Sequence, residues 1–324
     1  MDPLVELSRE RIARGSKSFA GAARLFDRET RASAYMLYAW CRHCDDEVDG
    51  QELGFNRPDA DPAEAHARLE RLFQETRSAL EAKPSSPVFE ALARVVARHD
   101  IPHQHPFELL EGFRMDVEGM RFVTLDDTLR YSYHVAGVVG VMMAMVMGVR
   151  TRATLSRASD LGIAFQLTNI ARDVVADAQV GRVYLPAEWL ADAGLPSSLE
   201  HDARMLADPV HRAVLFDVTA RLLDTADDYY ASAVHGIGDL PPRAAWAIAS
   251  ARNVYREIGQ EIRRKRSAAW DTRAYIGRAR KLSGVALGGV QAIVSRVSPV
   301  DRSAGSRKGL WTHPDLRVDD LGLD

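Results

Sequence analysis

The chain has 324 residues, is 46% hydrophobic and 27% charged, and carries a formal net charge of −3. It is long enough to bury a large core, and its charge gives no bias toward nucleic acid or an anionic membrane. Cys41 and Cys44 are the only cysteines, which excludes a disulfide framework and makes a cytoplasmic location the default.

Asp2, Glu6, Arg9, Glu10 and Arg11 interrupt the first apolar positions and argue against a secretory signal. Helical periodicity then dominates, with no strand alternation or hairpin turn. In chain order, helices are predicted over 3–14, 18–26, 30–49, 63–82, 87–99, 105–119, 127–148, 152–178, 209–234, 242–267 and 270–296. Breaks fall at Gly50 to Pro62, Pro84 to Pro87, Pro102, Gly181 to Pro186 and Gly236 to Pro242, with Asp61 and Asp126 as capping residues. The longest apolar run, Val135 to Val149, has fifteen residues and three glycines. A membrane span needs about 20, so the run reads as a buried helix. The expectation is an all-α chain with one domain over 1–297. Residues 298–324, polar and broken by Pro299, Gly305, Gly309 and Pro314, read as a disordered tail.

Between Arg31 and Asp49, at about 100° per residue, Ala34, Leu37, Tyr38, Cys41 and Val48 form one apolar stripe. Asp45 and Asp49 sit within it at i and i+4, so their carboxylates stand one above the other. Inward carboxylates are costly unless a cation or hydrogen-bond donors meet them. Arg42 lies one turn before Asp45, so an ion-pair network of Arg42, Asp45, Asp46 and Asp49 explains this helix equally well when it is taken alone. The Cys41-x-x-Cys44 pair lacks the further ligands a zinc site needs. Both thiols read as small buried hydrophobes.

Residues 154–178 are apolar nearly all round, through Leu161, Ile163, Ala164, Phe165, Leu167, Ile170, Val174 and Val175, which predicts burial. Gln166, Asn169, Asp173 and Asp177 nevertheless gather in one arc of roughly 80°, with Arg172 at the edge of the apolar side. Two such acidic helices facing each other would repel unless divalent cations lay between them. Magnesium suits this arrangement, because it takes oxygen ligands and is held by one or two carboxylates plus substrate phosphates. The inferred ligands are Asp45, Asp49, Asn169, Asp173 and Asp177, with a diphosphate completing the shell and Mn2+ as a substitute ion.

The stretch Trp40-Cys-Arg-His-Cys-Asp-Asp-Glu-Val-Asp49 resembles the first aspartate motif of the squalene/phytoene synthase family. Gln166-Leu-Thr-Asn-Ile-Ala-Arg-Asp-Val-Val-Ala-Asp177 resembles the second. The similarity runs from about Gly15 to Leu282 and includes Gly15-Ser-Lys-Ser-Phe19, Tyr131 to Gly140 and Gly181 to Pro186; its wording is most similar to the bacterial phytoene synthases. The resemblance implies an isoprenoid-synthase-like helical bundle around a central cavity. It puts the five inferred ligands on magnesium–diphosphate positions, and Arg42 and Arg172 on catalytic positions that hold diphosphate. Tyr133 matches an active-site tyrosine, and Ser16, Ser18 and Phe19 match a segment near the reacting carbons. Tyr255 and Arg273 match weaker C-terminal positions, Arg273 with a one-residue offset. Gln166, from the polar stripe, and Tyr184, from a loop that would exclude water, complete the substrate-binding set.

The implied activity is Mg2+-dependent, head-to-head condensation of two geranylgeranyl diphosphates to phytoene through a cyclopropylcarbinyl diphosphate, in carotenoid biosynthesis. A squalene or dehydrosqualene synthase using farnesyl diphosphate is the nearest alternative. A terpene cyclase usually has two dissimilar metal motifs, and a non-catalytic assembly relative would be expected to have lost acidic residues that are all present here. No G-x-G-x-x-G follows a predicted strand, and no nicotinamide cofactor is expected. Carbocations need a dry cavity, and Met142, Met143, Met145 and Met147 suit its wall, with Gly137 and Gly140 letting a prenyl chain approach the backbone. A role behind the metal ligands and a solvated helix end explain Asp116 and Glu118 equally well, so they are left outside the site. The expected partners are prenyl diphosphates. Peripheral membrane contact fits an insoluble product, although no anchor is evident.

Overall fold

Apolar spacing near the helical period becomes helix along most of the chain. The computed structural model describes residues 2–15, 17–49, 51–52, 55–56, 62–197, 202–272, 276–297, 307 and 309–316. Its helices are α1 (Pro3–Gly15), α2 (Lys17–Ala23), α3 (Arg28–Asp49), α4 (Pro62–Leu80), α5 (Pro87–Arg98), α6 (Gln104–Val117), α7 (Leu125–Ser132), α8 (Val138–Val146), α9 (Arg152–Gln179), α10 (Ala187–Asp192), α11 (Arg212–Ile237), α12 (Pro242–Lys265) and α13 (Arg278–Val297). The all-α expectation holds. Two elements add to the expected set: a short antiparallel ribbon, β1 (Gln51–Glu52) with β2 (Phe55–Asn56), follows α3, and α10 lies between the predicted helices 152–178 and 209–234. Thr124, not Asp126, caps α7, in a reciprocal capping box with Asp127. Asp61 lies outside the described residues.

The long apolar helix predicted over 127–148 is α7 and α8 joined by a π-turn at Tyr133–Gly137. Such turns shift the facing of side chains by part of a turn and often mark functional sites. The stretch Leu125–Val146 is long and apolar enough to cross a membrane, yet most of it is buried inside the chain. Its companion is α9, the central helix, which packs on α8, α11 and α12.

Close approach explains the glycines here. A Cβ on Gly140 would stand 2.4 Å from the Ala158 carbonyl oxygen, and one on Gly162 would stand 2.3 Å from that of Ala136. Gly137 faces Tyr133, Ser159 and Ile163. The expectation that Gly137 and Gly140 admit a prenyl chain is therefore corrected: they admit helix α9. Alanine at Gly162 is expected to cost about 3 kcal/mol, because the obstacle is backbone and cannot rotate away. A urea midpoint unchanged in Gly162→Ala would contradict that packing.

The C-terminal residues also depart from expectation. Residues 309–316 and Arg307 lie on the helical body instead of forming a loose tail. Arg307 pairs with the fully enclosed Asp160 of α9, Nη2 to Oδ1 at 2.5 Å. Trp311 N–H donates to the Tyr229 hydroxyl at 2.9 Å, and Ser156 Oγ donates to the Leu316 carbonyl at 3.0 Å. Of the residues that suggest disorder, Gly309 takes a positive φ of 85° and Pro314 opens a short 3-10 turn, both between these anchoring side chains, whereas Pro299 and Gly305 lie outside the described residues.

Candidate active site

Helix α3 brings Tyr38, Cys41, Arg42 and Asp45 to one side, with Arg42 one turn after Tyr38 and Asp45 one turn after Cys41. Arg42 Nη1 donates to Asp45 Oδ2 at 2.9 Å, and its Nη2 lies 2.7 Å from Asp46 Oδ1. The Arg42–Asp45–Asp46 part of the ion-pair network expected from the sequence is thus present, and the Asp49 side chain lies outside the described residues. The Asp45 side chain is nonetheless 41% exposed, against 13% for Asp46. Its carboxylate faces open space beside the apolar stripe, not packed interior, which spares it the full desolvation penalty. Burial and then the Asp45 charge push the Cys41 thiol up to about 12. Both cysteines are free, Cys44 fully enclosed, and neither carries the low thiol pKa that reactivity needs.

Helix α9 buries sixteen residues and leaves Phe165, Gln166, Asn169, Arg172, Asp173 and Asp177 only partly covered. Arg172 grips its neighbour Asp173 with two donors, Nε to Oδ1 at 2.9 Å and Nη2 to Oδ2. Asn169 Nδ2 donates to Gln166 Oε1 at 3.4 Å, which turns the Asn169 carbonyl oxygen away from it. That oxygen is buried and has no hydrogen-bond partner. A buried carbonyl oxygen without a donor costs about 1–3 kcal/mol. Burial, reinforced by the Asp173 charge, pushes the Asp177 carboxyl up to about 7 against the opposing pull of Arg182 and Arg172. Both observations describe oxygens arranged for a cation, so these residues fit a divalent metal. Among the described residues, no three His, Cys, Asp or Glu side chains converge on one point. Magnesium does not need three, since one or two carboxylates and substrate phosphates suffice.

Tyr255 of α12 connects the two aspartate helices. Its ring lies 4.3 Å from that of Phe165, and its phenol acts electrostatically on both Tyr38 and Arg172. Tyr38 meets the chain from the other side, because a Cβ on Gly15 would lie 2.5 Å from its hydroxyl. Val135, Ala136, Val139, Gly140 and Met143 are partly exposed, whereas Met142, Met145 and Met147 are buried. The methionine wall therefore reduces to Met143, since the other three point into the core.

Two further expectations change. Tyr133 is fully enclosed, its hydroxyl donating to Glu108 Oε2 at 2.9 Å and its ring stacked 4.5 Å from His313. The π-turn aims it at α6 and the C-terminal segment, so it does not line open space. Tyr184 is not a free lid residue. Its ring stacks 4.8 Å from Tyr131, its carbonyl accepts from Thr128, and its hydroxyl donates to Asp116 Oδ1 at 2.9 Å. Tyr131 donates to the other Asp116 oxygen at 2.8 Å. Burial and then the Asp116 charge push both phenols up, which keeps them donors.

Asp116 is thus held by two phenols and is not a freely solvated helix end. Its charge reaches Asp177, and it lines a pocket of about 340 Å³ together with Arg121, Arg182, Tyr184 and Arg204. The only hint in the sequence was an acidic residue on the partly apolar helix 105–119. In the sequence Tyr38 stands out only as a stripe residue, and Phe165 only as part of the apolar surround of residues 154–178. Ser16 and Arg273 lie outside the described residues, as do the side chains of Ser18, Phe19 and Asp49.

A squalene/phytoene synthase family model matches residues 12–280, and the chain belongs to the squalene/phytoene synthase family. It is 50% identical over 300 residues to the 15-cis-phytoene synthase of Enterobacter agglomerans, covering 93% of this chain and 99% of that one. It is 51% identical over 318 residues to the 15-cis-phytoene synthase of a Paracoccus species, covering 97% and 99%. A crystal structure of a ligand-bound dehydrosqualene synthase superposes with a TM-score of 0.78 at 27% identity, over 89% of this chain and 95% of that one.

Proposed function

We propose that this chain is a phytoene synthase, a prenyltransferase that joins two geranylgeranyl diphosphates head to head in carotenoid biosynthesis. What carries the reading is the polar stripe of α9, with the orphaned Asn169 oxygen and the raised Asp177 carboxyl, on a chain half identical to phytoene synthases along almost its whole length. Asp45, Asn169, Asp173 and Asp177 hold Mg2+, with Asp49 as the fifth ligand by its place in the motif. Mn2+ is a substitute. Bound there, the ion supplies Lewis-acid stabilisation of the departing diphosphate.

Arg42 and Arg172 sit beside these carboxylates as fixed cations and exchange part of their pairing for charged hydrogen bonds to diphosphate oxygens. The rings of Tyr38, Phe165 and Tyr255 offer π-faces to an allylic cation, and Val139 and Met143 help keep the cavity dry. Gln166 orients Asn169 through the bond already described. The chain works in the cytoplasm on prenyl diphosphates, with Ser16, Ser18, Phe19 and Arg273 assigned to substrate from their motifs. The test is incubation with Mg2+ and either geranylgeranyl or farnesyl diphosphate, followed by mass analysis of the organic extract. Phytoene is expected; a thirty-carbon hydrocarbon as the main product would replace the reading with squalene or dehydrosqualene synthesis.

A pH dependence follows from Asp177. Its folded-state pKa of about 7 lies above the ordinary 3.8. Its stabilising contribution is therefore complete below the ordinary value and is lost as the pH rises through about 7. For the metal-free chain, this group favours a higher melting temperature near about pH 5 than near about pH 8. Mg2+ should raise the melt more at the higher pH, where no proton competes for the oxygen. Asp177→Asn should flatten both trends; a variant that kept them would show that another group titrates.

A further inference from the structure

Helix α13 buries the wrong side for a helix that only packs within its own chain. Its small residues face α12: a Cβ on Gly288 would lie 2.5 Å from Ser250 Oγ, and one on Gly284 would meet Val254 at 3.3 Å. Its large aliphatics face outward. Leu282, Leu287, Val290, Ile293, Val294 and Val297 are between 48% and 73% exposed. On the helical wheel they fill one arc of about 140° with no charged residue inside it. An amphipathic helix in a water-soluble chain turns such an arc inward. A continuous apolar surface along a helix of roughly 30 Å marks an interaction site.

The charges say what that site meets. The helix has four cations, Arg278, Arg280, Lys281 and Arg296, and no carboxylate. Arg278 and Arg296 share one edge of the arc, and Arg280 stands at the other, where Glu257 and Glu261 of α12 engage it. Trp246 borders the first edge, 40% exposed, with its indole N–H held by the Val285 carbonyl at 2.9 Å. Cations flanking an apolar arc, with an indole at the rim, match the boundary between lipid headgroups and acyl chains. A second copy of the chain fits less well. Parallel pairing would set the Arg278–Lys281 clusters against each other, antiparallel pairing would set them against Arg296, and neither helix offers an acid.

We infer that α13 lies along an anionic lipid surface, with its aliphatic arc in the acyl boundary and its arginines at the headgroups. Because α12 also carries Tyr255 of the site, docking would set the cavity one helix away from the bilayer. That consequence rests on the proposed hydrocarbon product, whereas the docking itself does not. The full chain is sedimented with phosphatidylglycerol–phosphatidylcholine vesicles and with pure phosphatidylcholine vesicles. Binding is expected to be tighter with phosphatidylglycerol and to weaken with salt. The double variant Leu287→Ser/Ile293→Ser should lose about tenfold or more in partition, and Val210→Ser, at an exposed valine outside α13, should lose nothing.

Mg2+-dependent diphosphate release in free solution serves as the folding control and should be unchanged in the double variant. Undiminished vesicle binding by that variant would overturn the inference. So would a wild-type chain that ignores phosphatidylglycerol vesicles because its own residues cover the arc. A wild-type dimer that the double variant converts to monomer would assign the arc to self-association instead.

Discussion

Asparagine at position 173 is expected to slow Mg2+-dependent diphosphate release by about a thousandfold or more. The substitution keeps the shape and removes the charge, so the fold should stand. A Lewis-acid cation contributes several kcal/mol to such a step, and about 4 kcal/mol already corresponds to a thousandfold. The variant carries a second signature. The Asp173 charge is the largest cause after burial of the raised Asp177 carboxyl, so its removal should bring that carboxyl down from about 7. The pH below which Mg2+ stops stabilising the chain should move down with it. Full activity in Asp173→Asn would sink the metal assignment, while lost activity with an unmoved pH midpoint would mean that the two carboxylates do not share one site.

Truncating Arg307 to alanine is expected to destabilise the chain by about 3 kcal/mol. Asp160 is fully enclosed and accepts from Arg307 Nε at 2.8 Å, from its Nη2 at 2.5 Å, and from the Ser232 hydroxyl. Without Arg307 that carboxylate retains the Ser232 hydroxyl and the charge of Arg157, but loses its two guanidinium donors. Removing one partner of a buried pair costs far more than removing both, so Asp160→Asn with Arg307→Ala should recover part of the loss. Urea midpoints of the wild type and the two variants measure this. Equal midpoints for wild type and Arg307→Ala would mean that the C-terminal segment does not bind in solution. The same truncation should loosen the stack of His313 on Tyr133, which near-ultraviolet dichroism would report.

The elements were largely legible because apolar spacing and Gly or Pro breaks act over a few residues. Helix α9 is the clearest case: its polar stripe on a buried surround is a property of one helical wheel, and the structure keeps it. The π-turn at Tyr133–Gly137 was not legible, since nothing local distinguishes a π-turn from ordinary helix. It depends on how α8 and α9 touch through Gly140 and Gly162. Tyr133 was therefore read at the right position in the chain and with the wrong surroundings. The placement of the described C-terminal residues is not legible for a related reason: Arg307, Trp311 and Leu316 are anchors only because Asp160, Tyr229 and Ser156 wait more than eighty residues away.

By itself the sequence determined the all-α class, the two aspartate helices, their inward arginines and the family, because each is written in residue type and helical spacing. The tertiary structure alone decided the rest. It showed that Asp45 opens onto accessible space, that Asp116 joins Asp177 through the folding of α6 against the loop after α9, and that α13 turns its aliphatic side outward. Those features depend on which surfaces meet across the fold. Helical periodicity states how residues are arranged around one axis, but not which side of that axis another helix will cover.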